Sequence, residues 1–190
     1  PGQLAITCLP DKQFDWIVTL ALAHEGLASC SNHGYAPINS SLGVDWVITD
    51  KALDIFGRNR TLLIDAEFIK TVEQESEAIE PMKFPSHDSV FRLVLTSGTT
   101  GPSKAVAFTQ KDMLKRCQTT SKLWADYPHE LCLMGLSTMG GYFVAMCSLL
   151  VGVPLYHADT PKNQIALIVA NKVQCLSGSP SQLALLVQQL

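Results

Sequence analysis

Apolar positions recur along the chain in two alternating rhythms: short continuous runs, and longer stretches with helical spacing. Residues 3–9 (QLAITCL) predict a buried strand. Residues 12–25 predict a helix in which Phe14, Ile17, Val18, Leu20, Ala21 and Leu22 are apolar nearly all round. Gly26 falls where a helix C-terminus favours glycine. Short apolar runs follow at 27–30, 45–49 (DWVIT) and 61–64 (TLLI). Runs of this kind, separated by turns or helices, mark a parallel sheet covered on both faces. Residues 61–90 hold seven acidic and two basic side chains, a local net of −5. Within them Glu73, Glu75, Glu77 and Glu80, followed by Pro81 and Pro85, read as an exposed connector.

Beyond that connector the alternation resumes. Residues 91–96 (FRLVLT) predict a strand, 97–104 a polar loop and 105–108 a second short strand. Thr109 can cap a helix reaching about Trp124, with Met113, Cys117 and Trp124 on one face. Further strands are expected at 131–136, 153–157 and 173–176, and helices at 141–151, 163–171 and 179–190, the last capped by Ser179 or Ser181. The whole predicts an α/β fold with parallel-rich sheets layered between helices. Residues 1–125 are expected to form a first subdomain ending in the loop and its helix, and 126–190 the start of a second.

Composition narrows the picture. The chain has 190 residues, 47% apolar and only 16% charged, against a usual charged share of about 25%. That excludes a disordered tail, a collagen-like chain and a solvated charged helix. The net charge, 14 − 17 = −3, argues against a nucleic-acid binder. Six scattered cysteines without a C-x-x-C pair point to reduced, mostly buried thiols in a cytoplasmic protein. The longest apolar stretch, 142–156, is short for a membrane span and is interrupted by Ser148, Gly152 and Pro154. No signal peptide is visible, and the start at Pro1 predicts a trimmed N-terminus.

The string Thr96-Ser97-Gly98-Thr99-Thr100-Gly101-Pro102-Ser103-Lys104 carries the chemistry. Two glycines let backbone N–H groups approach an anion closely. The hydroxyls of Thr96, Ser97, Thr99 and Thr100 add donors, and those of Thr99 and Thr100 could reach a Mg²⁺ riding on phosphates. Lys104 adds a positive charge, and residues 91–122 hold six bases against one acid inside an acidic protein. A polyphosphate is the natural guest. The string is not a Walker A loop, since Ser103 precedes the lysine and no Ser or Thr follows it.

The run LVLTSGTTGPSKAVAFTQKDM resembles the signature phosphate loop of the adenylate-forming superfamily, which holds acyl-CoA synthetases, peptide-synthetase adenylation domains and luciferases. The strand–helix of 3–26, Pro37-Ile38-Asn39, the DWVITD strand and NQIALIVANKVQCLSGSPSQLALLV follow the family's order. The resemblance implies part of the N-terminal domain of a ligase using ATP and Mg²⁺. In such a ligase a carboxylic acid attacks the α-phosphate to give an acyl-adenylate and pyrophosphate, and a thiol of CoA or a carrier protein then takes the acyl group. It assigns phosphate binding to Thr96, Ser97, Gly98, Thr99, Thr100, Gly101 and Lys104, with Lys104 stabilising the departing pyrophosphate. Two departures stand out: the order Pro102-Ser103-Lys104-Ala105, where the family has Pro-Lys-Gly, and Ser137-Thr138-Met139-Gly140-Gly141, where it often has an aromatic or His. The family's later metal-binding glutamate, ribose-binding aspartate and C-terminal lysine have no counterpart here. The chain alone is therefore expected to be inactive, and its cut interfaces to favour self-association. A stand-alone phosphate-binding or interaction module is the alternative.

Other constellations read as structural. His24-Glu25 lacks the second histidine of a zinc motif, and His33, His87, His129 and His157 show no ligand spacing. Gly140-Gly141 suits either a ligand approach or a helix entry. Trp16, Trp46 and Trp124 read as core, since no basic residues interleave with them.

Overall fold

The computed structural model describes residues 2–32, 34–36, 38, 42–52, 60–74, 86–96, 104–127 and 129–189. The chain divides into two compact units, Pro1–Gln110 and Lys111–Leu190, each with its own sheet.

In the first unit, strands β1 (Leu4–Cys8), β2 (Ala28–Ser31), β3 (Trp46–Thr49), β4 (Thr61–Leu63), β5 (Val90–Leu95) and β6 (Ala105–Thr109) form one sheet in the order β4-β3-β1-β2-β5-β6. All neighbours are parallel except β5 and β6. Strand alternation places Leu4, Ile6, Cys8, Ala28, Cys30 and Val47 on one buried face, where Tyr35, Ile38, Leu42 and Val44 of the β2–β3 connection cover them. The opposite face carries Ala5, Leu9 and Ile48, packed against Leu22 and Val18 of helix α1 (Lys12–His24). Asp11 caps α1 by accepting from the N–H groups of Gln13 and Phe14 at 2.8 and 2.9 Å. Gly26, at φ 73°, turns the chain out of it.

Three expectations need correction in this unit. The buried stripe of α1 is Asp15, Thr19, Leu22 and Ala23, spaced i, i+4, i+7, i+8, while Phe14 and Ile17 are 39% and 52% exposed. The acidic stretch begins with helix α2 (Ala66–Gln74) rather than a connector. Asp65 accepts from Phe68 N–H at 2.8 Å, and Ile69 packs on the core, a cap and an anchor that the run of acids obscured. Glu73 belongs to α2; Glu75, Glu77, Glu80, Pro81 and Pro85 lie outside the described residues. Trp46, expected in the core, is 38% exposed at the start of β3, where its Nε1–H donates to Gln3 Oε1 at 3.2 Å. Trp16 is half-buried.

The second unit holds strands β7 (Glu130–Cys132), β8 (Leu155–Tyr156) and β9 (Cys175–Ser177), all parallel, in the order β8-β7-β9. Helices α3 (Gln110–Ala125), α4 (Met139–Val151), α5 (Pro161–Asn171) and α6 (Pro180–Val187) accompany them. Apart from Gln110, α3 groups with this unit, whereas the sequence reading attached it to the first. Its Cys117 thiol hydrogen-bonds Cys147, and its Arg116 lies 5.8 Å over the Phe143 ring, both on α4. Leu131, Leu133 and Leu186 form the core with Ile165, Ile168 and Leu183 around them. Strand β7 stops at Cys132, short of the expected Leu136, although Leu133 and Leu136 stay buried. The helix ends follow local rules. Thr160 and Ser179 cap α5 and α6, each with Pro in its first turn, and Ser179 with Gln182 completes a capping box.

Candidate functional site

The loop that stands out in the sequence joins β5 and β6, the one antiparallel pair among the described strands of the six-stranded sheet. The β5–β6 ladder runs from Val90↔Thr109 to Leu95↔Ala105, which brings the next residues, Thr96 and Lys104, together. Thr96 N–H donates to Lys104 O at 2.9 Å, Lys104 N–H donates to Thr96 Oγ1 at 3.2 Å, and the Thr96 hydroxyl also lies 3.2 Å from Lys104 O. These contacts close a neck, with both residues exposed. Ser97, Gly98, Thr99, Thr100 and Gly101, together with Pro102 and Ser103, lie outside the described residues. Because β5 runs parallel to β2, β1, β3 and β4, the neck opens at the carboxyl edge of the sheet, the side on which α/β sheets bind ligands.

Behind the neck lies a polar cluster that the sequence reading missed. Arg92, on β5, is fully buried. Its Nη1 donates to Ser29 Oγ at 3.1 Å and its Nη2 to Ser31 Oγ at 2.9 Å. Ser31 in turn donates to Asp15 Oδ1 at 3.0 Å, and Thr7 donates to the same oxygen. Burial pushes the Asp15 carboxyl up from its ordinary value; the hydrogen bonds from Thr7 and Ser31 and the Arg92 charge pull the other way. Burial likewise raises the Cys8 and Cys30 thiols. Two signals in the sequence could have found the cluster. Arg92 is the one charged residue in an otherwise apolar strand, and a buried charge demands partners. Asp15 sits at helical spacing from Thr19, Leu22 and Ala23, so an inward face for α1 carries a carboxylate with it.

The remaining candidates are structural. His24 pairs with Glu25 at 3.2 Å at the end of α1. His87 contacts Gln110 at 2.9 Å, His129 contacts Tyr156 at 3.2 Å, and His157 contacts Cys132 O and Asp159 at 2.9 and 3.2 Å. His33 lies outside the described residues. Among the described residues no three His, Cys, Asp or Glu side chains converge as metal ligands, and no helix is long and apolar enough to cross a membrane. All six cysteines are free, and five are buried. Cys147 is pushed up to about 12, mainly by burial. Gly140 and Gly141 are a helix entry. Thr138 caps α4 by accepting from Gly141 N–H at 3.1 Å, and a Cβ on Gly141 would stand 2.3 Å from Gly135 O.

Similarity to known proteins agrees with this layout. The profile of the family described as AMP-binding enzyme matches residues 38–190. No curated protein matches the chain by sequence. Among solved structures, O-succinylbenzoate coenzyme A synthetase from Bacillus subtilis, in complex with ATP and magnesium ion, superposes with a TM-score of 0.76 at 17% identity, over 99% of this chain and 42% of that one. An acyl-CoA synthetase from Brucella canis gives 0.78 at 20% identity, over 100% and 39%. The nonribosomal peptide synthetase FmoA3 gives 0.81 at 18% identity, over 100% and 21%. The chain thus spans about half the length, or less, of the solved structures it matches.

Proposed function

The chain belongs to the AMP-binding enzyme family of adenylate-forming proteins, and on that basis we propose that it is the N-terminal segment of an ATP-dependent ligase that activates a carboxylic acid. In this reading the intact enzyme forms an acyl-adenylate with release of pyrophosphate and passes the acyl group to a thiol of coenzyme A or a carrier protein. The segment contributes the phosphate loop. The supporting observation is the neck, where Thr96 and Lys104 are hydrogen-bonded together at the carboxyl edge of a parallel sheet.

Each loop residue has a role that follows from its chemistry. Glycine at positions 98 and 101 has no Cβ to keep phosphate oxygens from backbone N–H groups. Ser97, Thr99 and Thr100 add hydroxyl donors. Thr96 is already engaged with the Lys104 backbone, so its contribution is to close the loop while its own position stays set. Lys104 supplies the cation that offsets charge on the departing pyrophosphate. The donor set fits magnesium carried on ATP, because hydroxyl and phosphate oxygens are the hard ligands that ion prefers; Thr99 and Thr100 would reach it, and it would neutralise phosphate charge there. Similarity to both an acyl-CoA synthetase and a peptide synthetase is compatible with either thiol acceptor. Free thiols suit the reducing cytoplasm. Apolar surface on the second unit, with Val169 75%, Val187 66% and Leu185 57% exposed, suits self-association of the isolated chain.

The test is Lys104→Ala in an intact enzyme carrying this segment. Loss of one preorganised charge-stabilising group lowers the adenylation rate by roughly 10²–10³-fold, while an exposed lysine should leave the melting temperature unchanged. Equal adenylation rates in mutant and parent would overturn the assignment.

A further inference from the structure

The strand that presents the loop is anchored in an unusual way. Strand β5 lies between β2 and β6, and β6 is the last strand in the order among the described residues. On the β2 side Ser29 pairs with Arg92, and Leu93 and Leu95 of β5 pack on the apolar cluster of the opposite face. At that same residue a buried guanidinium reaches back across β2 to Ser29 and Ser31, and through Ser31 to Asp15 on α1. We propose that Arg92, Ser31 and Asp15 form a positioning relay that holds β5 in the register from which Thr96 and Lys104 close the loop. The functional consequence rests on the phosphate-loop reading; the geometry does not.

The direction of every hydrogen bond is set by the charges at the ends. Arg92 can only donate and ionised Asp15 can only accept. Ser31 has one proton, which goes to Asp15, leaving its lone pairs for Arg92 Nη2; Ser29 accepts from Nη1 and turns its own proton toward Phe91 O at 3.4 Å. Such a chain has one low-energy arrangement, whereas apolar packing tolerates many. A slip of β5 by one residue would turn Arg92 to the opposite face, among Leu4, Ile6, Cys8 and Cys30. A slip by two would carry its guanidinium about 7 Å along the strand, away from both serines. Either slip would bury an uncompensated charge. The same displacement would reach Thr96, four residues further along β5, and with it the neck. A buried ionic cluster adds little to stability over a well-packed apolar one, and fixing register is its best-attested use.

The test compares the parent chain with Asp15→Asn/Arg92→Met, which removes both charges together, and with Arg92→Lys, which keeps the cation on a less branched head. Amide hydrogen exchange at Thr96 and Lys104 reports the neck, and exchange in β1 reports the rest of the sheet. Calorimetry with Mg-pyrophosphate reports the loop, with Lys104→Ala as its control. In the double variant the relay predicts exchange at Thr96 faster by roughly tenfold and pyrophosphate affinity weaker by a similar factor, with β1 exchange and the melting temperature close to the parent's. Arg92→Lys recovers part of both losses. Parent-like exchange at Thr96 in the double variant would overturn the relay, as would acceleration spread equally over β1. A parent that fails to bind Mg-pyrophosphate, or Lys104→Ala binding as well as the parent, would count against the phosphate-loop reading, and exchange at Thr96 would still decide the relay.

Discussion

The two faces of the six-stranded sheet both bury apolar side chains, and only one adds a hydrogen-bonded polar cluster. One carries Leu4, Ile6, Cys8, Ala28, Cys30 and Val47, an apolar layer stabilised by removing area from water. The other has an apolar cluster too, with Ala5, Leu9 and Ile48 against α1, but beside it carries Thr7, Ser29 and Ser31 and receives Asp15 from α1 and Arg92 from β5. Apolar burial is non-directional, so the first face contributes stability without naming a partner. The second face is directional and links residues 63 apart in sequence, Arg92 and Ser29. It is the second face that lies behind the neck. Both sides of the sheet therefore bury apolar area, and the directional contacts are confined to one of them.

That comparison can be broken from either side. The largest effect belongs to Arg92→Ala, which leaves Asp15 without its compensating charge and should cost about 3–5 kcal/mol in urea unfolding. A loss under about 1 kcal/mol would show that the cluster is not coupled as a buried pair. Thr19→Val probes the polar face in the opposite sense. Among the described residues the Thr19 hydroxyl is buried without a hydrogen-bond partner. Replacing it with an isosteric methyl should therefore stabilise by about 1 kcal/mol, visible as a rise in melting temperature. On the apolar face, Ile6→Val should cost about 0.5–1.5 kcal/mol and leave Mg-pyrophosphate affinity at the parent's value. Weaker binding in that variant would merge the two faces.

Acid sharpens the contrast. Asp15 is raised above its ordinary value of 3.8, first by burial, against the lowering effects of Thr7, Ser31 and Arg92. The folded state thus binds its proton more tightly than the unfolded state does. The contribution of this group is present in full below the unfolded value and is lost as pH rises through the folded one. Asp15→Asn should flatten that part of the stability–pH curve, leaving the slopes due to exposed carboxylates. A curve unchanged by Asp15→Asn at pH values above the ordinary 3.8 would contradict the assignment.

Much of this was legible in the sequence wherever one local rule decided the outcome. Strand β1 is a continuous apolar run, and α6 begins at Ser179-Pro180 with Gln182 in place for a capping box. Elements were missed where a local signal pointed the wrong way. The acidic run around Glu73 hid α2, although Asp65 and Ile69 carried its cap and its anchor. Residue type alone points Trp46 to the core, yet its place at the start of β3 leaves it exposed. The relay was out of reach for a different reason: its members come from α1, β2 and β5, and only the folded sheet brings them together. In the candidate site, the two strands that flank the loop were legible. How β5 is held was not.

The most direct measurement is calorimetric titration of this chain with Mg-pyrophosphate and MgATP, with Lys104→Ala run alongside. The account predicts binding by the parent that the mutation abolishes, while both proteins melt at the same temperature. A folded parent that binds neither ligand, or a Lys104→Ala chain that binds both as well as the parent does, would contradict the claim that this loop cradles phosphates.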